Sequence, residues 1–131
     1  MFKAMNPEGV CPPFRHYIHS IEVPPNARWL VVSGQVGTRA DGTIPAGVEA
    51  QTEAAWTNVK TILEANGMGI EDIVMVTQYL TRVEDRDAHM AIRNRFLGDH
   101  LPASTLLFVS ALAQPEMVVE VEVKAAQAVE S

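Results

Sequence analysis

Cysteine is nearly absent, cations are outnumbered, and no long apolar run occurs; these three scarcities narrow the reading first. Cys11 alone cannot close an intrachain disulfide, so a disulfide framework is excluded and a reducing compartment suits the chain. Ten Lys and Arg face sixteen Asp and Glu, for a formal net charge of -6. Phosphate backbones are held by cations, so a nucleic-acid partner is disfavoured. The opening MFKAMNPEGVCPPF holds no apolar run of signal-peptide length, and no stretch is long enough to span a bilayer. The expectation is a cytoplasmic protein with no membrane partner.

Repeats, linkers and low-complexity blocks are missing as well. What is present, 131 residues at 47% hydrophobic and 20% charged, suits one globular domain over 1–131 with a real core. Metal spacing is also lacking. His16 and His19 would leave a strand on opposite sides, and His89 and His100 have no Cys or carboxylate cluster beside them, so ordinary structural histidines and no metal are expected. Cys11 has no base near it in sequence. No Gly-rich phosphate loop opens a helix, because SGQVG (33–37) runs into a turn; no cofactor is expected.

The apolar patterning gives the elements. The first dozen residues read as a loosely held arm, HYIHSIEV (16–23) as a strand, and PPNA (24–27) as the turn that reverses it. RWLVVSGQVG (28–37) is a strand by its β-branched and aromatic content, broken at Gly34. Val48, Ala55, Val59, Ile62 and Leu63 recur at helical spacing over 48–65, and Asn66-Gly67 supplies the stop. A strand over 72–83 follows, then a helix over about 86–98 capped by Asp85, with Ala88, Ile92 and Phe96 on its core face. Strands 104–112 and 117–126 close the chain, with AQPE (113–116) as a hairpin turn. The order is ββ-α-β-α-ββ: an α/β (α+β) protein with one mixed sheet and two helices.

Two strands are apolar on both faces. Trp29, Val31 and Ser33 alternate with Leu30 and Val32; Leu106, Phe108 and Leu112 alternate with Leu107, Val109 and Ala111. Two helices cover one face of such a sheet, so a second copy of the chain is expected on the other, in a symmetric homo-oligomer. VVEVEVKA (118–125) puts Val119, Val121 and Val123 on one face and Glu120, Glu122 and Lys124 on the other. These charges are either a solvated strand face or, if one carboxylate enters a cleft between subunits, a proton-transfer group.

SGQVG after a strand, AQTEAAWTNVKTILEANG on a helix, IVMVTQYLTRVEDRDAHMAIRNRF, and the ending LPAST…VEVEV together resemble the Rid family, the reactive-intermediate deaminases, also called YjgF-like or L-PSP proteins. The resemblance runs from about Tyr17 to Ala126. It implies a chorismate-mutase-like fold and a homotrimer that binds small molecules in clefts between subunits. Deaminating members hydrolyse enamines or imines to a carbonyl product and ammonia, with a cation holding the substrate carboxylate and a glutamate steering water. The resemblance assigns that glutamate to Glu120, the aromatic wall to Tyr17, the Ser-Gly after the strand to Ser33 and Gly34, and a water-holding carbonyl to Leu106.

One departure stands out. Deaminating members carry an arginine clamp where this chain reads PAST, so Ser104, followed by Thr105, occupies the guanidinium's place, and Met90 stands in the approximate place of the family's cleft asparagine, which this chain lacks. A neutral hydroxyl in place of a bidentate guanidinium loses about 2–4 kcal/mol in a partly desolvated cleft. Arg15, Arg28, Arg39 and Arg82 are the candidates to replace it. An imine or enamine deaminase with altered specificity and a non-catalytic binding trimer both remain open. An endoribonuclease or translation inhibitor is disfavoured by the acidic balance.

Overall fold

The computed structural model describes residues 2–129. In chain order it contains β1 (Lys3–Met5), β2 (Ser20–Glu22), β3 (Arg28–Val36), α1 (Val48–Ala65), β4 (Ile73–Leu80), α2 (Arg86–Leu97), β5 (Ala103–Phe108) and β6 (Val119–Gln127). The main sheet has the order β3-β6-β4-β5, with β6 antiparallel to both neighbours and β4 parallel to β5. A parallel pair needs a crossover, and α2 supplies it.

Helix α1 has the boundaries its apolar spacing predicts. Gly67, at φ 72°, ends it: the Gly67 N–H reaches Glu64 O at 3.1 Å and the Met68 N–H reaches Leu63 O at 2.9 Å. That pair of bonds satisfies the last carbonyls and needs a left-handed residue where Gly67 stands. Helix α2 starts at Arg86 as expected, but Asp85 makes no side-chain capping bond. Both helices lie on one face of the sheet, where Trp56, Val59 and Leu63 meet Val76, Leu80, Val121 and Val123. Trp56 stacks on Phe96 of α2 at 6.1 Å between ring centres.

Three expectations are corrected. The strand over 16–23 shrinks to β2, because the Tyr17 N–H turns back to Arg15 O at 3.0 Å and leaves the extended path. The arm is not loose: β1 pairs with β2, Lys3 opposite Glu22, so the PPNA turn joins strands that do not pair with each other. Residues 113–116 do not close a hairpin either. β6 is inserted between β3 and β4, while β5 lies at the far edge beside β4. Gln51 of α1 holds the connection that makes this possible. Its amide donates to Pro45 O (2.9 Å) and Glu116 O (2.8 Å), and its oxygen accepts from the Val118 N–H at 2.9 Å. A buried amide paired at both ends fixes where β6 begins.

Among the described residues, nothing covers the other sheet face. Val31 is 72% exposed, Trp29 51% and Leu107 46%, beside Glu120, Glu122 and Lys124. Large apolar side chains left exposed at both edges of a sheet face mark a contact surface.

Candidate functional site

Register sorts the candidate residues into two groups. Ser104 pairs with Val76 and Leu106 with Gln78, so both side chains project toward the helices. There they line a cavity of about 350 Å³, with Arg86 and Met90 from α2 and Phe14, Arg15 and Tyr17 from the chain before β2. Three residues singled out in the sequence, Tyr17, Ser104 and Leu106, therefore share one pocket, and Met90 joins them. Thr105 pairs with Thr77, which pairs with Glu122, so its side chain lies on the opposite face.

Glu120 is also on that opposite face, in register with Tyr79 and Val36. β3 is bulged between Val32 and Gln35, which brings Ser33 and Gly34 to this end of the sheet. The Glu120 carboxyl lies directly over Gly34, where any Cβ would run into it. Glu122, two residues on, is occupied: it accepts the Tyr79 phenol at 3.1 Å. That bond, with burial and the negative charges of Glu122 and Glu120 behind it, raises the Tyr79 pKa.

The cation beside Ser104 is one that sequence reasoning passed over. Arg93 of α2 is fully buried, and its Nη2 donates to Ser104 Oγ at 3.1 Å. Its Nη1 donates to His16 O (3.0 Å) and Asn94 Oδ1 (2.8 Å). Burial lowers its pKa to about 10, so it stays charged at neutral pH. Among the described residues no carboxylate lies within salt-bridge distance of it. The signal was available in the spacing: Arg86, Met90 and Arg93 stand at i, i+4 and i+7, one stripe of one helix.

The four other arginines go to different places. Arg15 lines the pocket and lies 4.0 Å from Asp87. Arg28 binds Asn66 O and Gln127 Oε1, Arg39 borders a separate hollow on the outer side of α1, and Arg82 lies 3.9 Å from Glu84 in the open. The histidines hold structure. His16 Nε2 meets His100 O at 3.1 Å, His100 Nε2 meets Ile73 O at 2.6 Å, and His89 packs against Thr52 inside the core. Among the described residues no group of three or more His, Cys, Asp or Glu is placed to hold a metal, and no helix is long and apolar enough to cross a membrane.

Residues 10–127 match the family described as Endoribonuclease L-PSP. The chain belongs to the Rid (YjgF-like, L-PSP) family. This Rid-family protein is 28% identical over 110 residues to the 2-iminobutanoate/2-iminopropanoate deaminase of Escherichia coli K12, covering 81% of this chain and 83% of that one. Its fold is that of a conserved Rid-family protein of unknown function from Yersinia pestis, with a TM-score of 0.84, 30% identity, and 96% and 98% of the two chains covered. Escherichia coli TdcF, crystallised with bound serine, is similar at a TM-score of 0.73 and 26% identity over 92% of each chain. The expected fold, a mixed sheet carrying two helices, is thus shared with solved Rid-family proteins.

Proposed function

We propose that this protein hydrolyses a small imine or enamine in a cleft that forms only between subunits of a homotrimer. The observation that carries the reading is the carboxylate of Glu120 over Gly34, without a hydrogen bond or ion pair among the described residues, on an exposed sheet face with Ser33, while Tyr17, Ser104 and Leu106 sit around the other side of the same sheet. β5 is an edge strand, so the outer side of its backbone is open to a neighbouring copy. A neighbour docked along that edge would bring its own Glu120 to the first copy's Ser104 pocket. The similarity to an iminobutanoate deaminase supports the reaction class.

The chemistry follows from the groups. Glu120 takes a proton from water as the oxygen attacks the carbon of the protonated imine (C=NH2+), giving a neutral tetrahedral amino alcohol. The same carboxyl returns that proton to the amine nitrogen, the C–N bond breaks with its electron pair leaving on ammonia, and the hydroxyl proton passes to the departing ammonia as the carbonyl forms, so protonated imine plus water yields carbonyl plus ammonium. An enamine first takes a proton at carbon to become the protonated imine. The deciding experiment compares Glu120→Gln with Glu122→Gln at equal trimer content, using imines generated by a coupled dehydratase. Loss of general-base assistance predicts a fall of about a hundred- to ten-thousandfold for Glu120→Gln. The Glu122 variant is expected to stay near wild type. Full activity in Glu120→Gln would remove the hydrolytic reading.

Ser104 favours one alternative, a trimer that binds a small molecule in the same clefts without turning it over. The acidic balance, ten cations against sixteen anions, weighs against RNA as the substrate.

A further inference from the structure

We propose that Arg93 is a positioning residue that acts on the ligand through Ser104, turning that hydroxyl into a donor-only group that selects an anionic oxygen. The inference rests on reading the Ser104 pocket as a ligand site, and it concerns recognition, not turnover.

The hydrogen-bond accounting around Ser104 is nearly complete. A serine hydroxyl offers two lone pairs and one proton. Arg93 Nη2 and Gln78 Nε2 both point at Ser104 Oγ, each at 3.1 Å. The Gln78 orientation is fixed by chemistry: its Nε2 also lies 2.8 Å from Thr105 O, a carbonyl that only accepts, so the amide nitrogen must face that side. A guanidinium can only donate. Both lone pairs of Ser104 are therefore filled, and its proton has no acceptor among the described residues. Ser104 lines the 350 Å³ cavity, so the proton is directed there.

The charge behind it is equally unbalanced. Arg93 is fully buried, has no carboxylate partner among the described residues, and leaves its Nε without a hydrogen bond. Burying an uncompensated cation is costly, and an anion arriving at Ser104 relieves that cost. Arg15 and Arg86 line the same cavity, and Asp87 is the carboxylate beside both, at 4.0 and 3.5 Å. One hydroxyl can present one hydrogen bond, so the preferred group is a single anionic oxygen and not a bidentate clasp.

The test uses matched probes, butanoate and butanamide, titrated into the intact protein and followed by NMR. Wild type is expected to bind butanoate about tenfold more tightly than butanamide, as suits a charge-assisted bond against a neutral one. Arg93→Gln, which keeps amide donors but no charge, is expected to lower that ratio severalfold, to what Arg15 and Arg86 sustain alone, and Arg93→Lys to restore most of it. Ser104→Ala is expected to lose butanoate binding with Arg93 still in place, whereas Ser104→Thr retains it. An unchanged ratio in Arg93→Gln, or wild-type butanoate affinity in Ser104→Ala, overturns the proposal, as does a wild type without the preference. If Arg93→Gln fails to fold, the same butanoate-to-butanamide ratio is read in Arg93→Met, where a wild-type ratio overturns the proposal. These measurements need no turnover, so loss of the hydrolase reading would leave the outcome intact.

Discussion

Ser104 and Glu120 stand on opposite faces of one sheet, Ser104 in register with Val76 and Glu120 in register with Tyr79. Val76 and Tyr79 are an odd number of residues apart on β4, so the pleat sends their neighbours to different sides. No single copy of the chain can point both groups at one ligand. A hydrolytic cleft that uses both must join two copies.

Subunit complementation tests this directly. Glu120→Gln and Ser104→Asp are each expected to be inactive as pure trimers. Co-expressed in equal amounts, they should regain activity from about a quarter of the clefts, those pairing an intact Ser104 side with an intact Glu120 side. Light scattering should give a trimer mass for every species. A monomer mass, or mixed trimers as silent as the parents, would rule out the shared cleft.

The contact between Glu120 and Gly34 leads to a second expectation. A methyl group at residue 34 would collide with the carboxyl, which must then swing away. Gly34→Ala should lower turnover by about tenfold to a hundredfold through misplacement of the base, with little change in thermal stability. Circular dichroism melting beside kinetics checks it, and full turnover in the Gly34→Ala variant would mean that the carboxyl works from another position.

Acid sensitivity should trace to His89. Burial first, and the charge of Arg93 second, depress its pKa from 6.5 to about 4. The unfolded chain therefore takes up the proton first as pH falls. This residue leaves stability intact above pH 6.5 and erodes it progressively down to about pH 4, by about 3 kcal/mol in full. His89→Leu should flatten that part of the profile, although it gives up the Thr52 contact at neutral pH. Urea midpoints above and below the window measure the effect, and parallel profiles for the two proteins would refute it.

What could be read in the sequence was what is local. Helix α1 declares itself through Val48, Ala55, Val59 and Leu63 and through the Asn66-Gly67 stop, all within one segment. The β1–β2 pair stayed hidden because Lys3–Met5 is a three-residue strand whose partner lies fifteen or more residues away. The AQPE turn misled for a similar reason: two apolar strands adjacent in sequence look like a hairpin, and only Gln51 and the sheet order reveal the insertion of β6. Arg93 was overlooked because a helix arginine reads as solvated by default. Its burial depends on Ser104 and the His16 carbonyl, both contributed from elsewhere in the chain.

That last contact changes what restoring the family arginine should do. Ser104→Arg alone would set a second guanidinium against Arg93, whose Nη2 is 3.1 Å from the Oγ it replaces. Two cations that close in a half-buried site repel by a few kcal/mol at an effective dielectric of about 20. The single variant should therefore melt lower than wild type and gain little turnover of 2-iminobutanoate. Pairing it with Arg93→Met removes the repulsion and leaves the new guanidinium free to face the pocket. The double variant should recover the lost stability and exceed wild type in turnover by more than the separate changes allow, a coupling that residues in contact are expected to show. The four proteins of this cycle, compared by Tm and by kcat/KM, give the interaction energy. If Ser104→Arg alone is as stable and as active as the double variant, Arg93 does not stand behind Ser104 as a working cation.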